Sequence, residues 1–153
     1  MPDHYYRIPL RLDLITNRGE GQLETSNARE LMCSLEESIW NHIYLILTTA
    51  YREVRFDTTF GSAIWEYDLI AGSDVNEIRW EGEIKDLVED SIRHYEQRLE
   101  SIQVKVKLHL SAQKDAHKRL SITITGKIRS MERQTFTFER DIIIAPFIAE
   151  SLK

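Results

Sequence analysis

Between residues 84 and 144 the spacing of apolar residues changes from a helical to an extended period. Ile84, Leu87, Val88, Ile92, Tyr95 and Leu99 recur at steps of three and four, which lines one side of a helix. From residue 102 the step becomes two. Ile102, Val104, Val106, Leu108 and Leu110 form one alternating run, Leu120, Ile122, Ile124, Gly126 and Ile128 a second, and Phe136, Phe138, Ile142 and Ile144 a third. Polar residues 111–118 and the tight Ser130-Met131-Glu132 link separate the runs. Short links between alternating strands give an antiparallel meander with one apolar face, and helices are needed to cover that face. The pattern predicts an α+β fold, with N-terminal helices packed on a C-terminal antiparallel three- to four-stranded sheet.

The candidate for a fourth strand is the N-terminal arm. Tyr6, Ile8, Leu10, Leu12 and Leu14 alternate with Tyr5, Arg7, Pro9, Arg11 and Asp13. Pro9 lacks an N–H, which confines such a strand to an edge. Residues 16–33 read as a loop, punctuated by Asn17, Gly19, Gly21, Ser26 and Asn27. The division expected is an arm and loop over 1–33 and one α+β domain over 34–153.

That domain opens on Ser34-x-x-Glu37, the signature of reciprocal capping at a helix start. Leu35, Ile39, Ile43, Ile46 and Leu47 give the helix an apolar face, and its end is expected near Ala50. Arg52 to Phe56 read as an extended link and Asp57 to Gly61 as a turn. Phe56 and Phe60 are read as core anchors, and Gly61 as a position of positive φ. A short helix over 62–69 follows, anchored by Ile64 and Trp65. Trp40, Trp65 and Trp80 suit either internal packing or an interface. In the long helix, Asp74-x-x-Glu77 is a candidate cap and Gly82 a candidate kink. Glu81–Lys85 and Glu89–Arg93 are candidate i,i+4 pairs.

The 153 residues carry a formal charge of −5, which argues against a nucleic-acid binder. Acids crowd residues 65–90, and Lys105, Lys107, Lys114, Lys118 and Arg119 make a basic run. Two surfaces of opposite sign, or simply two solvated faces, follow from this. Cys33 is the single cysteine, so no intrachain disulfide forms, in keeping with a reducing, cytoplasmic setting. The N-terminus does not read as a signal peptide. Residues 39–50 are too short to span a bilayer, and no direct membrane insertion is expected. His42, His94, His109 and His117 show no metal-ligand spacing, and no glycine-rich phosphate loop is present. No cofactor is expected.

The order of motifs is similar to that of the gene-25-like baseplate wedge family, which includes the TssE component of type VI secretion systems and small wedge proteins of phage tails. Residues 52–62, Arg-Glu-Val-Arg-Phe-Asp-Thr-Thr-Phe-Gly-Ser, resemble the family's Gly/Glu-Val-x-Phe-x-Pro-x-Phe/Tyr-Gly-Ser stretch. His94-Tyr95-Glu96-Gln97-Arg98-Leu99 resembles its Tyr-Glu-Pro-Arg-Leu hallmark, which stands just before a strand. The resemblance covers about residues 34–145. Gln97 replaces the hallmark proline, and no proline stands at Thr58 or Thr59. Without proline, the long helix is expected to run on through Arg98.

The resemblance implies a structural component of a contractile injection machine that links a wedge core bundle to the sheath and seeds sheath polymerisation. Its implied partners are TssF/TssG-like bundle proteins, TssB/TssC-like sheath proteins and other baseplate components. Glu96, Gln97 and Arg98 are the implied bundle contact. Read alone, Glu96 and Arg98 are a helix-end cap and a surface charge. The last strand, with Arg133, Thr135, Thr137 and Arg140, is the candidate sheath-contact edge, open to an added strand. The alternative is a lysozyme-like glycoside hydrolase acting on peptidoglycan, with Glu66, Asp68 and Asp57 as candidate carboxylates. Such a site needs two carboxyls about 5–9 Å apart, one of them kept protonated by burial.

Overall fold

In the computed structural model, residues 5–7, 31–67, 77–109, 118–130 and 134–144 are described. The chain divides into two compact units, Met1–Leu45 and Ile46–Lys153, and the division falls inside a helix.

In the first unit, β1 (Tyr5–Tyr6) pairs antiparallel with β2 (Met32–Cys33), setting Tyr5 opposite Cys33. The Arg7 amide continues the pairing by donating to the Leu31 carbonyl at 2.9 Å. The described part of the arm therefore makes a separate two-stranded ladder and adds nothing to the C-terminal sheet. Its backbone groups are satisfied locally by residues just before the first helix. Residues 8–15 with Pro9, and the loop over 16–30, lie outside the described residues.

Helix α1 (Leu35–Thr48) starts on Ser34, whose Oγ accepts the Glu37 amide at 3.1 Å. The expected return bond from Glu37 is replaced. Its carboxylate pairs with the Arg7 guanidinium, 3.1 Å from Nε, so half of the capping box is exchanged for an ion pair to the arm. Leu35, Ile39 and Ile43 are buried, while Trp40 stacks on Tyr44 with ring centroids 5.6 Å apart.

In the second unit, the last turn of α1 buries Ile46 and Leu47 completely. The helix stops at Thr48, two residues before Ala50. The Leu47 carbonyl, one of those that helix ends leave without a partner, accepts the Trp65 indole N–H at 3.0 Å. Trp65 belongs to the short α2 (Ile64–Tyr67). Asp68, Leu69 and the candidate cap at Asp74 lie outside the described residues.

Helix α3 (Glu77–Tyr95) passes through Gly82 without a break. Its buried stripe is Trp80, Ile84, Val88 and Ile92. Burying side chains of this kind contributes about 1.5–3 kcal/mol each. On the outer side Arg79 pairs with Glu83 and Arg93 with Glu89. The expected Glu81–Lys85 pair is not formed, because Glu81 Oε1 accepts the Leu108 amide of the sheet at 2.7 Å. A strand-edge N–H without a ladder partner has the stronger demand for an acceptor.

The sheet is antiparallel in the order β3-β4-β5, formed by Leu99–His109, Lys118–Ile128 and Thr135–Ile144. Its apolar face comes from Ile102, Val104, Leu120, Ile122, Ile124, Ile128, Phe136, Phe138 and Ile142, all buried. Among the described residues this sheet has three strands, the lower number expected. The first begins at Leu99, three residues before Ile102, because a bulge lies between Glu100 and Gln103. Ser101 adopts a φ of 53° there. The alternation read from residue 102 onward therefore hides the first turn of pairing. Gly126 lies opposite the bulge, where an added Cβ would stand 3.3 Å from the Glu100 carbonyl oxygen.

Gly82 provides a test of the continuous helix. It is exposed, and a Cβ there would meet nothing within 4 Å. Gly82→Ala is expected to stabilise the protein by about 0.5–1 kcal/mol, read from the urea unfolding midpoint. A helix broken at Gly82 would instead show no gain.

Candidate docking surface

The family-like motif sits where α3 turns into β3. The Glu96 amide still donates to the Ile92 carbonyl at 2.8 Å, and the Leu99 amide then closes a turn onto the Glu96 carbonyl at 3.4 Å. The helix thus ends at Tyr95, and it does not run through Arg98 as the missing proline led us to expect. The cause is the Glu96 carboxylate. It is 1% exposed, and it accepts Arg98 Nε at 2.7 Å, Arg98 Nη2 at 2.5 Å and the Arg98 backbone amide at 3.1 Å. Residues two apart on a helix face different ways, so this fork-to-carboxylate pair exists only because the chain turns between them. The bidentate pair supplies the reversal that proline would otherwise impose.

Glu96 is therefore a buried acid at the helix end. Arg98 keeps 30% of its side chain exposed, and Gln97 is exposed between them. The Arg98 carbonyl accepts the Arg129 amide at 3.0 Å, which ties the turn to the far end of β4.

The residue before this pair holds a second structure. Residues 49–63 form a tight loop whose ends meet in a parallel bridge between Ala50 and Ser62, with the Ser62 amide 2.9 Å from the Thr49 carbonyl. Gly61 has a φ of 121°, and any Cβ there would sit 2.5 Å from the Thr49 carbonyl oxygen. Only glycine fits both requirements. Arg52 holds a φ of 67°, with its amide bonded to the Thr58 carbonyl at 3.0 Å. Asp57 Oδ1 accepts the Thr59 amide at 3.1 Å and the Thr59 hydroxyl at 2.7 Å. The Tyr95 hydroxyl lies 2.7 Å from Thr59 Oγ1 and 3.2 Å from Asp57 Oδ2. The Phe60 ring meets the Tyr95 ring edge to face at 5.0 Å. Hydrogen bonds from the Thr59 hydroxyl foremost, with those from the Thr59 amide and Tyr95, hold the Asp57 carboxyl below its ordinary 3.8 against partial desolvation.

Phe60 is thus half-buried and packed, whereas Phe56 is 94% exposed. Its expected place in the core is corrected. The turn that ties Asp57 inward points the residue before it into solvent. The sequence reading missed Tyr95 and Thr59 as a lock. Its trace is Asp57-Thr58-Thr59, the pattern in which an Asp side chain bonds the backbone two residues on.

The candidate sheath-contact residues do not share one surface. Strand β5 is an edge, pairing only with β4 among the described residues. Thr135 and Thr137 are exposed on the polar face. Arg140 stands opposite Ile122 in register, on the same side as Phe136, Phe138 and Ile142, yet is exposed. A charge on the inner side of an edge strand discourages unselective pairing. Arg133 lies outside the described residues. On the polar face, His109 Nε2 lies 3.0 Å from Ser121 Oγ, which donates to Asp141 at 2.6 Å. The serine proton is directed to the aspartate, not to the histidine, so this is not a nucleophile arrangement. Among the hydrolase candidates, Glu66 is exposed, Asp68 is outside the described residues, and the Asp57 carboxyl is shifted in the direction opposite to a general acid.

The chain belongs to the family described as baseplate wedge protein gp25, whose model matches residues 33–133. Among solved structures, it is similar to a proposed tail lysozyme from Geobacter sulfurreducens, at 23% identity and a TM-score of 0.53, covering 74% of this chain and 95% of that one. It is also similar to a chain of the baseplate complex from the type VI secretion system, at 11% identity and a TM-score of 0.58, covering 70% of this chain and 91% of that one. At these identities the likeness is one of fold. No curated protein matches the chain.

Two predictions come from this geometry. Arg98→Ala strands a buried carboxylate and is expected to cost about 3 kcal/mol, measured by urea denaturation, with Arg98→Lys losing less. Asp57 has a lowered folded pKa, so its contribution to stability is complete above the ordinary carboxylate value and fades as the pH falls through the lowered one. Asp57→Asn should therefore separate from wild type in melting temperature at neutral pH and converge with it in strong acid. A gap that persists unchanged in acid would rule out the carboxylate as its source.

Proposed function

We propose that this protein is a non-catalytic baseplate wedge component of a contractile injection machine, a type VI secretion system or a phage tail. It works on the cytoplasmic side of the machine, as a link between the wedge core bundle and the sheath. Residues 34–153 are the wedge domain and residues 1–33 an accessory arm. Membership of the wedge family over residues 33–133 carries this reading, and the similarity to a chain of a type VI baseplate complex adds to it.

The Glu96–Arg98 turn is the bundle-facing feature. Its buried carboxylate fixes the guanidinium, and the exposed third of Arg98 beside Gln97 is available to backbone carbonyls or carboxylates of TssF/TssG-like proteins. Strand β5 is the sheath-facing feature. Its outer edge can take an added strand from TssB/TssC-like sheath proteins, with Thr135 and Thr137 on one side and Arg140 on the other. The opposite edge is less available, since Glu81 already occupies the Leu108 amide.

The test is reconstitution with the bundle and sheath proteins encoded alongside this one. Wild type is expected to bind both. Gln97→Glu, which leaves the buried pair in place, is expected to weaken bundle binding while sheath binding stays intact. A proline at position 139, which removes a β5 amide, is expected to act in the reverse sense. Absence of binding by the wild type to either class, or release of sugar from peptidoglycan, would defeat the proposal.

A further inference from the structure

The loop over residues 50–62 turns one kind of chemistry outward. Its two acids are both engaged by the loop itself. Glu53 Oε2 accepts the Ala50 amide at 2.9 Å, and Asp57 holds Thr59 and Tyr95. Its two arginines are not. Arg52 and Arg55 are exposed, and neither guanidinium has a partner among the described residues. Directly after Arg55 stands Phe56, 94% exposed. Single exposed apolar residues are ordinary, but this one is carried on a loop pinned at several points. The pins are the Ala50–Ser62 bridge, Gly61, the Arg52 amide bond and the Tyr95 hydroxyl. A rigid aromatic presented with little ordering left to lose is the arrangement that interfaces use for an anchor.

We propose that Phe56, carried on the same loop as the exposed Arg52 and Arg55, is a docking anchor for an apolar pocket rimmed with carboxylates on a wedge-bundle protein. The bundle is favoured over the sheath because the loop is fastened to Tyr95, the residue next to the Glu96–Arg98 turn. The β5 edge lies across the sheet from the β3 strand that follows this turn. Positive charge around the phenylalanine selects an acidic rim and steers the encounter. This rests on the wedge reading above.

The experiment measures binding of the full chain to the bundle proteins encoded beside it. Phe56→Ala is expected to weaken binding by about 30-fold or more, in line with a hot-spot residue, with the melting temperature unchanged because the ring is in solvent. Phe56→Leu is expected to retain most of the affinity. Arg52→Asn with Arg55→Ala is expected to weaken binding and flatten its salt dependence, asparagine being tolerant of the positive φ at position 52. Wild-type binding that is undiminished in Phe56→Ala overturns the anchor and leaves the wedge reading standing. Loss confined to sheath binding overturns it as well. Failure of wild type to bind the bundle at all overturns the wedge reading itself, and the anchor with it.

Discussion

A carboxylate at 1% exposure needs a partner, and Glu96 obtains one from two residues further along the chain. Removing such a charge from water costs several kcal/mol, which is recovered only when the geometry is close to ideal. The fork of Arg98 and its own backbone amide provide three donors to the one carboxylate. That requirement dictates the local path of the chain. The helix has to end at Tyr95, the turn has to close at Leu99, and β3 has to start in the register that the Arg129–Arg98 bond then secures. The direction of the sheet relative to α3 is thus set within four residues.

The same junction positions the loop on the other side of Tyr95. Because Tyr95 is the last helical residue, its hydroxyl is held at a fixed place and can receive Thr59 and Asp57. The loop in turn is closed by Gly61, where backbone crowding at the Thr49 carbonyl admits no side chain. Two polar networks, one buried and one partly exposed, therefore share a boundary at a single peptide bond, between Tyr95 and Glu96. Networks of this kind contribute specificity of conformation as much as stability.

Much of this was legible in the sequence, and the parts that were not share a physical cause. Periodicity located α1, α3 and the three strands, since burial of one face leaves its mark at fixed spacing. It placed Ile84, Val88, Ile92, Ile122, Ile124, Phe136 and Phe138 correctly in the core. It misread Phe56, because residue type predicts burial only where the backbone follows a regular period, and residues 50–62 do not. It also overextended α3. Helix propensity knows nothing of a carboxylate that will be satisfied by the guanidinium after a turn. The β1–β2 pairing and the Glu37–Arg7 bond depend on contacts some thirty residues apart, which local pattern does not encode.

The substitution at position 97 shows how an ion pair and a proline can be exchanged. Proline limits the chain by covalent geometry and removes a helical amide. The Glu–Arg pair limits it by charge and is satisfied only in the turned conformation. With proline the turn is enforced even if the pair is broken. With Gln97 the turn rests on non-covalent bonds, the Glu96–Arg98 pair foremost with the Leu99 and Arg129 amides, since nothing covalent forbids another helical turn through Arg98. Any partner that draws Arg98 away from Glu96 would therefore act on the helix end as well as on the side chain. In the bundle contact proposed above, Arg98 would use the part of its surface that remains exposed, while its Nε and Nη2 stay with Glu96.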